Sequence, residues 1–560
     1  MKRTKKIISL FLVMVLALSS LSMAGCSKKK GEPVTLTIYS QTANYSGEQV
    51  GWFAKVMLDK FNVKIKIVKE DEGVFTTRME ADDLGDIVFF GNDTEQYTTA
   101  ADNGMLLDWN EDDLLTEYGP YIKENMQKAI EKNMGITSSG KLYGIGYSVA
   151  SSAEDHQTYF YHPDIRWDLY KQLGYPEIGT LEDFIPVFKQ MKEICPTSDS
   201  GKETYAVSIF KDWDGDMVMN VKATAALYGY DEWGLGLYDC NTQTWQGALD
   251  DNSMYLRMLR FYHDLYANDL LDPDSMTQGY DGANEDYIDG VCFWSIFNYM
   301  ASIAYNTPEH LAEGKAMYTV ATEDQSTLSY GLNVYGSNRV WTIGAKTQYP
   351  ELCMEIINWF CTPEGYMTML YGPQGLCWDY DDNGKTILTD LGLKCRDDKE
   401  TEMTGDGYGG TWSDGTFQAN ATTWNVDSVN PDSNGETYNY QNWASYQATQ
   451  NYDVLNDWRN FTGFTTQDEY LDSRAHTVSI ATPYTQTSRS DELDVIWQQV
   501  TTTIKDYSWK AIYAESDDEY NNYVQEMITK ANEYGYKECC EFMQQEAANR
   551  KAAEDAVLAQ

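Results

Sequence analysis

The apolar pattern between positions 34 and 90 is what most narrows the folds open to this chain. Residues 34–39 (VTLTIY) alternate apolar and polar side chains, the period-two signature of a half-buried strand. Trp52, Phe53, Val56, Met57 and Phe61 then recur at helical spacing, and residues 63–68 (VKIKIV) alternate again. Residues 74–81 suit a helix, and a Gly85-Asp86 turn opens a short apolar strand over 87–90. Strand, helix, strand, helix, strand predicts a doubly wound α/β lobe, whose ligands bind outside the carboxyl ends of the strands. That places the first candidate site loops at 40–47 and 91–94. A chain of 560 residues exceeds what one core can hold, so at least a second lobe is expected.

The first thirty residues predict where the chain works. Lys2, Arg3, Lys5 and Lys6 precede an apolar run over 7–18 and then Met23-Ala24-Gly25-Cys26, which reads as a secretory signal peptide over 1–25. The run is too short for a comfortable membrane span. A Cys after Ala-Gly resembles the lipobox of bacterial lipoproteins, although Met23 stands where that pattern has Leu. The resemblance implies that Cys26 is diacylated and becomes the new N-terminus, with residues 26–33 as lipid-bearing tether. The chain is then expected on the extracellular face of a bacterial cell membrane, which it touches through the lipid alone. Secretion with an incidental Cys is the competing reading.

The net charge is −44, and removing residues 1–25, which carry four cations and no acid, makes it −48. Such a surface argues against nucleic acid, which needs basic patches, and against lying on anionic lipid. Ten cysteines leave an odd nine once Cys26 is lipidated, and their spacing forms no paired framework, so mostly buried thiols are expected. A zinc site is not expected, because the five histidines are scattered and none falls near a Cys pair. The aromatic content of 14%, with 42 Tyr and 16 Trp, suits carbohydrate binding, where sugar rings stack on aromatic faces.

Further motifs follow in a telling order. Residues 104–109 (GMLLDW) lead into an acidic helix to about 133, and then come residues 140–147 (GKLYGIGY). Residues 175–184 (YPEIGTLEDF) open a helix with Thr180 as N-cap and Asp183 three residues on, close to a capping box. Residues 346–351 (KTQYPE) lead into a helix with Leu352, Cys353, Ile356, Ile357 and Phe360 on one face, stopping at Thr362-Pro363-Glu364-Gly365. Ser516 and Glu519 suggest a capping box for a C-terminal helix that Gly535 ends. This ordered set, behind a lipobox, resembles the extracellular solute-binding proteins of ABC importers, in their sugar-binding branch.

The resemblance implies an α/β, two-lobed, periplasmic-binding-protein-like fold, each lobe a sheet flanked by helices, hinged by crossing strands and closing on its ligand. Residues 34–150 and 293–343 are expected in the first lobe, and 151–292 and 344–560 in the second, with rim insertions over about 372–510. Crossings are expected near 147–155, 287–297 and 339–345. The implied function is capture of a carbohydrate, an oligosaccharide above all, for delivery to ABC permease subunits, by a monomer without a cofactor. A peptide or other solute binder of the same fold and a secreted glycoside hydrolase are the alternatives. No G-x-S-x-G, H-E-x-x-H or P-loop is present, and nothing selects a pair of carboxylates from the 86 acidic residues.

A sugar site needs flat aromatic faces and polar groups converging on a cleft. The candidates are Asn44 and Tyr45 after the first strand, Asp93, Tyr147 at the first crossing, and Trp213, Asp214 and Asp216 on a W-D-G-D turn. Trp294 and Asn298 follow at the second expected crossing, Arg339 and Trp341 at the third, and Trp378, Trp412 and Trp424 in the late loops. Core packing is the competing reading for each Trp, and Trp359 on its amphipathic helix is read as core. His156 and His162 are read as structural or rim residues. Asp379, Asp381, Asn383 and Asp390 partly match a calcium loop, but a hairpin turn is the plainer reading. Some oligosaccharide binders of the family carry a calcium loop in the second lobe; the matching residues 197–202 (TSDSGK) are poor in acids.

Overall fold

The computed structural model describes residues 31–137, 139–153 and 155–559, so Cys26 and the predicted leader lie outside the described residues. The alternating segments form the sheet that they predict. Strand Val34–Ser40 runs parallel to Val63–Lys69 on one side and to Ile87–Phe90 on the other. Strand Val340–Ile343 adds antiparallel to Ile87–Phe90, and Gly144–Gly146 closes that edge. Leu36 and Ile38 point to one face and Tyr39 to the other, and each face carries its own apolar cluster. Helix Gly51–Phe61 buries Trp52, Phe53 and Met57 against the first face.

A second core is built around strand Tyr161–Arg166, which pairs antiparallel with Trp294–Phe297 and Met317–Thr319. Helices Phe184–Ile194, Met254–Ala267 and the long C-terminal Asp491–Ile512 pack into it. Thr180 and Asp183 form the expected reciprocal capping box. Ser516 caps helix Asp517–Tyr534, but Glu519 turns its carboxylate to the Glu515 amide, so only half of that box forms.

The segments divide between the lobes differently from the sequence expectation. Trp294, Ile296, Phe297, Tyr318 and Leu328 belong to the second core, so residues 293–332 lie in the second lobe. Helix Pro350–Cys361 and the residues up to Tyr446 pack on the first core, and second-lobe packing resumes at Tyr452. The chain therefore passes between lobes near 147–157, 330–339 and 447–452, and no crossing occurs at 287–297. The first two passages run side by side: the Tyr147 amide donates to the Arg339 carbonyl (2.9 Å), Leu332 to Asp155 (2.9 Å) and Gln157 to Tyr330 (2.8 Å).

Residues 372–446 pack on the first core, and their last part, from Asp427 to Tyr446, also lines cavities between the lobes. They form an irregular layer whose tryptophans are buried, and Trp378, Trp424 and Trp443 each turn the indole N–H to a backbone carbonyl. Trp378 donates to Gly372 (2.8 Å), Trp443 to Thr437 (2.8 Å) and Trp424 to Cys361. Burying an indole is costly only when its N–H goes unpaired, so Gly- and Asn-rich chain can carry a core here. All nine cysteines among the described residues are unpaired, six of them buried. Burial pushes the Cys353 and Cys377 thiols up to about 12, which leaves them inert at neutral pH. Among the described residues no helix is long and apolar enough to cross a membrane.

Candidate functional site

Two concave surfaces flank the crossing passages. The first is an aromatic hollow of about 340 Å³ on the second lobe. Trp213 is half exposed, at 50%, and its ring lies stacked on Tyr280 at 4.8 Å and 27°. Tyr299 stands beside Trp213 and stacks on Phe160 at 5.5 Å. Glu232 enters the same hollow, held by Lys222 at 3.2 Å. Flat faces already stacked from behind, with one carboxylate at their edge, are what a sugar ring and its hydroxyls require.

The turn that presents Trp213 explains its acidic neighbours. Gly215 takes φ +61°, a left-handed conformation that a side chain would strain, and this lets both flanking carboxylates face back into the lobe. Asp214 accepts from the Trp509 indole (2.9 Å) and the Met219 amide (3.0 Å). Asp216 accepts from the Trp497 indole (2.9 Å) and the Thr501 hydroxyl (3.1 Å). Burial pushes the Asp214 carboxyl above its ordinary range. Asp214 and Asp216 are therefore struts that fix the Trp213 turn to helix Asp491–Ile512, where the sequence reading had them as ligand groups.

The second surface is a polar groove of about 450 Å³ between the lobes. Asn298, Asn306 and Gln467 of the second lobe face Asn442 and Gln447 of the first across it. Asn298 is anchored by its amide donating to the Tyr159 carbonyl at 3.0 Å. On the first lobe, Arg339 lies over the Tyr147 ring at 4.9 Å. Asp93 pairs with Lys132 at 3.1 Å, and Lys132 also donates to the Ser337 carbonyl (2.9 Å). Asp93, Tyr147 and Arg339 thus come together at the carboxyl end of the first sheet, as that fold class predicts. Asn44 is exposed, while the Tyr45 hydroxyl donates to Glu48 of its own loop (3.0 Å).

The other expected tryptophans are core. Trp294 and Trp341 are fully buried, as is Trp378, and Trp412 stacks on Trp52 at 5.0 Å and 21°. Tyr280, Tyr299, Phe160 and Glu232 escaped the sequence reading. Phe160 sits in a Tyr-rich run, residues 159–161, and Tyr299 adjoins Asn298, which were the available signals.

Neither calcium candidate fits an ion. Asp381 accepts from the Asn383 and Lys385 amides (both 2.8 Å) in a tight turn between strands Trp378–Tyr380 and Thr386–Leu388, and Asp390 begins the next helix. In the loop over 197–203, Ser198 and Ser200 donate to Asp289, Lys202 pairs with Asp286, and Lys315 with Asp199. Two ammonium groups and two hydroxyls occupy the carboxylates that a calcium ion would need.

No protein-family model and no curated protein sequence matches the chain. Solved structures do. The HMO binding ABC-transporter associated solute binding protein from Bifidobacterium longum infantis is 14% identical, with a TM-score of 0.55 over 92% of this chain and 99% of that one. An extracellular solute-binding protein from Bifidobacterium longum subsp. infantis is 13% identical, with a TM-score of 0.53 over 92% and 98%. The S. pneumoniae ABC-transporter substrate binding protein FusA, in complex with kestose, is 14% identical with a TM-score of 0.50 over 92% and 99%. At these identities the likeness establishes architecture, and over nearly its whole length this chain has the two-lobed α/β fold of the extracellular solute-binding proteins.

Proposed function

We propose that this chain is an extracellular receptor that captures an oligosaccharide and delivers it to an ABC import permease. Cys26 would anchor it to the outer face of the cell membrane through its acyl chains. The carrying observation is the Trp213 hollow: an exposed indole stacked on Tyr280, beside Tyr299 and Phe160, with Glu232 at its edge. The HMO binding and kestose-complexed neighbours support an oligosaccharide as the ligand class. Asp93, Tyr147, Arg339 and Asn298 would meet the sugar from the facing surfaces. Closure is favoured because a ligand touching both lobes binds the closed state better than the open one.

The test is calorimetric titration against a panel of oligosaccharides, simple sugars and short peptides, with thin-layer analysis of each mixture. One glycan class is expected to bind without new products. Trp213→Ala is expected to weaken that binding at least tenfold, about 1.4 kcal/mol, as loss of a stacking face would. Unchanged affinity would remove the hollow as the site. Binding of peptides alone would overturn the sugar, and accumulating products would indicate a hydrolase.

A further inference from the structure

Three of the five histidines, two of them near neighbours in sequence and the third about 300 residues on, converge beside the crossing passages. His156, His162 and His476 surround the buried Tyr159 ring, with centroid distances of 5.2, 6.5 and 6.5 Å. Two of them turn toward one carboxylate. His156 Nε2 lies 3.1 Å from Asp472 Oδ1, and the ligand atoms of His156, Asp472 and His476 all fall within 4.8 Å of one another. The sequence reading set metal aside because the histidines were scattered; the fold gathers them.

We infer that His156, His476 and Asp472 form a binding site for a zinc-class divalent ion at the junction of the two lobes. The outer contacts are those of a metal site. His156 Nδ1 faces the Gln157 carbonyl at 2.8 Å and His476 Nδ1 the Arg474 carbonyl at 3.1 Å. A carbonyl can only accept, so each ring keeps its proton on Nδ1, and Nε2 is the nitrogen that would bind the ion, at His156 by giving up the proton it otherwise shares with Asp472. The Tyr159 hydroxyl donates to Asp472 at 2.9 Å and orients that carboxylate. Ligands about 2 Å from a tetrahedral ion stand about 3.3 Å apart, so His156 and Asp472 already have that spacing and His476 need move in by no more than about 1.5 Å. His476 and Asp472 are exposed, which gives them room to move.

Two imidazoles and one carboxylate select zinc-class ions over calcium, which takes six to eight oxygens. Three protein ligands leave the fourth position for water or a further donor. An adjoining cavity of about 260 Å³ supplies candidates, being lined by Asp468 of the second lobe and Asp427 of the first. The three ligands come from two distant pieces of chain. His156 lies on the passage out of the first lobe, Asp472 ends helix Gln467–Asp472, and His476 begins strand His476–Ser479. An ion here would tie the passage to the second lobe.

The test uses the purified protein stripped of metal, titrated with zinc by calorimetry and with cobalt(II) by visible absorption. One saturable site is expected, with cobalt bands of tetrahedral or five-coordinate type and a zinc-dependent rise in melting temperature. His476→Ala and Asp472→Ala, both at exposed positions, are expected to weaken uptake at least tenfold. His310→Ala, whose ring pairs with Asp199 instead, should leave it unchanged. Absence of saturable uptake by the native chain, or equal uptake by all three variants, overturns the site.

Discussion

Trp294→Ala is expected to destabilise the protein by about 3–5 kcal/mol, the range for truncating a fully buried Trp. The indole is 0% exposed and sits among Phe184, Phe188 and Phe261, with centroids 5.8, 6.1 and 5.9 Å away. It lies on strand Trp294–Phe297, against helices Phe184–Ile194 and Met254–Ala267, so the cavity opens where the second-lobe sheet meets its helices. Close-packed neighbours collapse into such a hole only in part, and the lost dispersion and transfer terms add. Against a total stability of about 5–15 kcal/mol, that loss is large. Trp294→Phe should cost on the order of 1 kcal/mol, since it keeps most of the volume and removes a buried N–H that has no acceptor among the described residues. Urea unfolding followed by tryptophan fluorescence measures both. The reading of Trp294 as core requires that sugar affinity, measured where the variant is folded, stays within about twofold, well under 1 kcal/mol. A stable Trp294→Ala protein that no longer bound sugar would return this residue to the site.

The contrast between Trp294 and Trp213 shows what pattern can and cannot decide. The alternation of VTLTIY and VKIKIV specifies two strands, and both form in parallel register, Val34 opposite Val63. The Thr180 cap was equally legible, because a cap is a local bargain between a side chain and amides up to three residues away, whereas Thr362, read as the stop of one helix, also caps the next, Pro363–Tyr371. Lobe membership was not. WSIF at 294–297 and VWTI at 340–343 are both four-residue apolar strands, yet one pairs with Tyr161–Arg166 and the other with Ile87–Phe90. That choice rests on long-range partners, which no window of sequence contains. Loop composition misled in the same way. Trp378, Trp412 and Trp424 lie in Gly- and Asn-rich chain and looked exposed, but carbonyls positioned by the fold take up the N–H groups of Trp378 and Trp424. Trp213 was legible because Asp-Gly-Asp forces a turn, while Tyr280, Tyr299 and Phe160 join it from separate segments.

Arg550→Met is the other substitution expected to cost about 3–5 kcal/mol, because it would leave buried carboxylates without their counter-charge. Arg550, on the last helix Tyr536–Leu558, donates to Asp231 (3.0 Å), Glu554 (2.9 Å) and the Ser479 hydroxyl (2.9 Å). Its guanidinium also lies over the Tyr238 ring at 4.0 Å. One side chain thus joins the C-terminal helix to strands Tyr230–Trp233, Gly236–Asp239 and His476–Ser479. The defect should depend on pH in a definite direction. Burial pushes the Asp231 carboxyl above its ordinary value even with Arg550 beside it, and removing the cation pushes it further. A folded carboxyl raised in this way holds a proton that the unfolded chain releases near pH 4, about its ordinary pKa. Stability of the variant therefore falls as pH rises from there through the folded value, and the loss relative to wild type should be smaller near pH 5 than near pH 8. Asp231→Asn in the Arg550→Met background should recover part of the stability, since it removes the uncompensated charge. Urea unfolding at the two pH values measures all of this; a loss below about 1 kcal/mol, the same at both, would mean that the cluster is solvated enough to behave as a surface pair. The strand that Arg550 secures carries Glu232, the next residue after Asp231, into the aromatic hollow, so the helix that closes the fold also braces the proposed sugar site from behind.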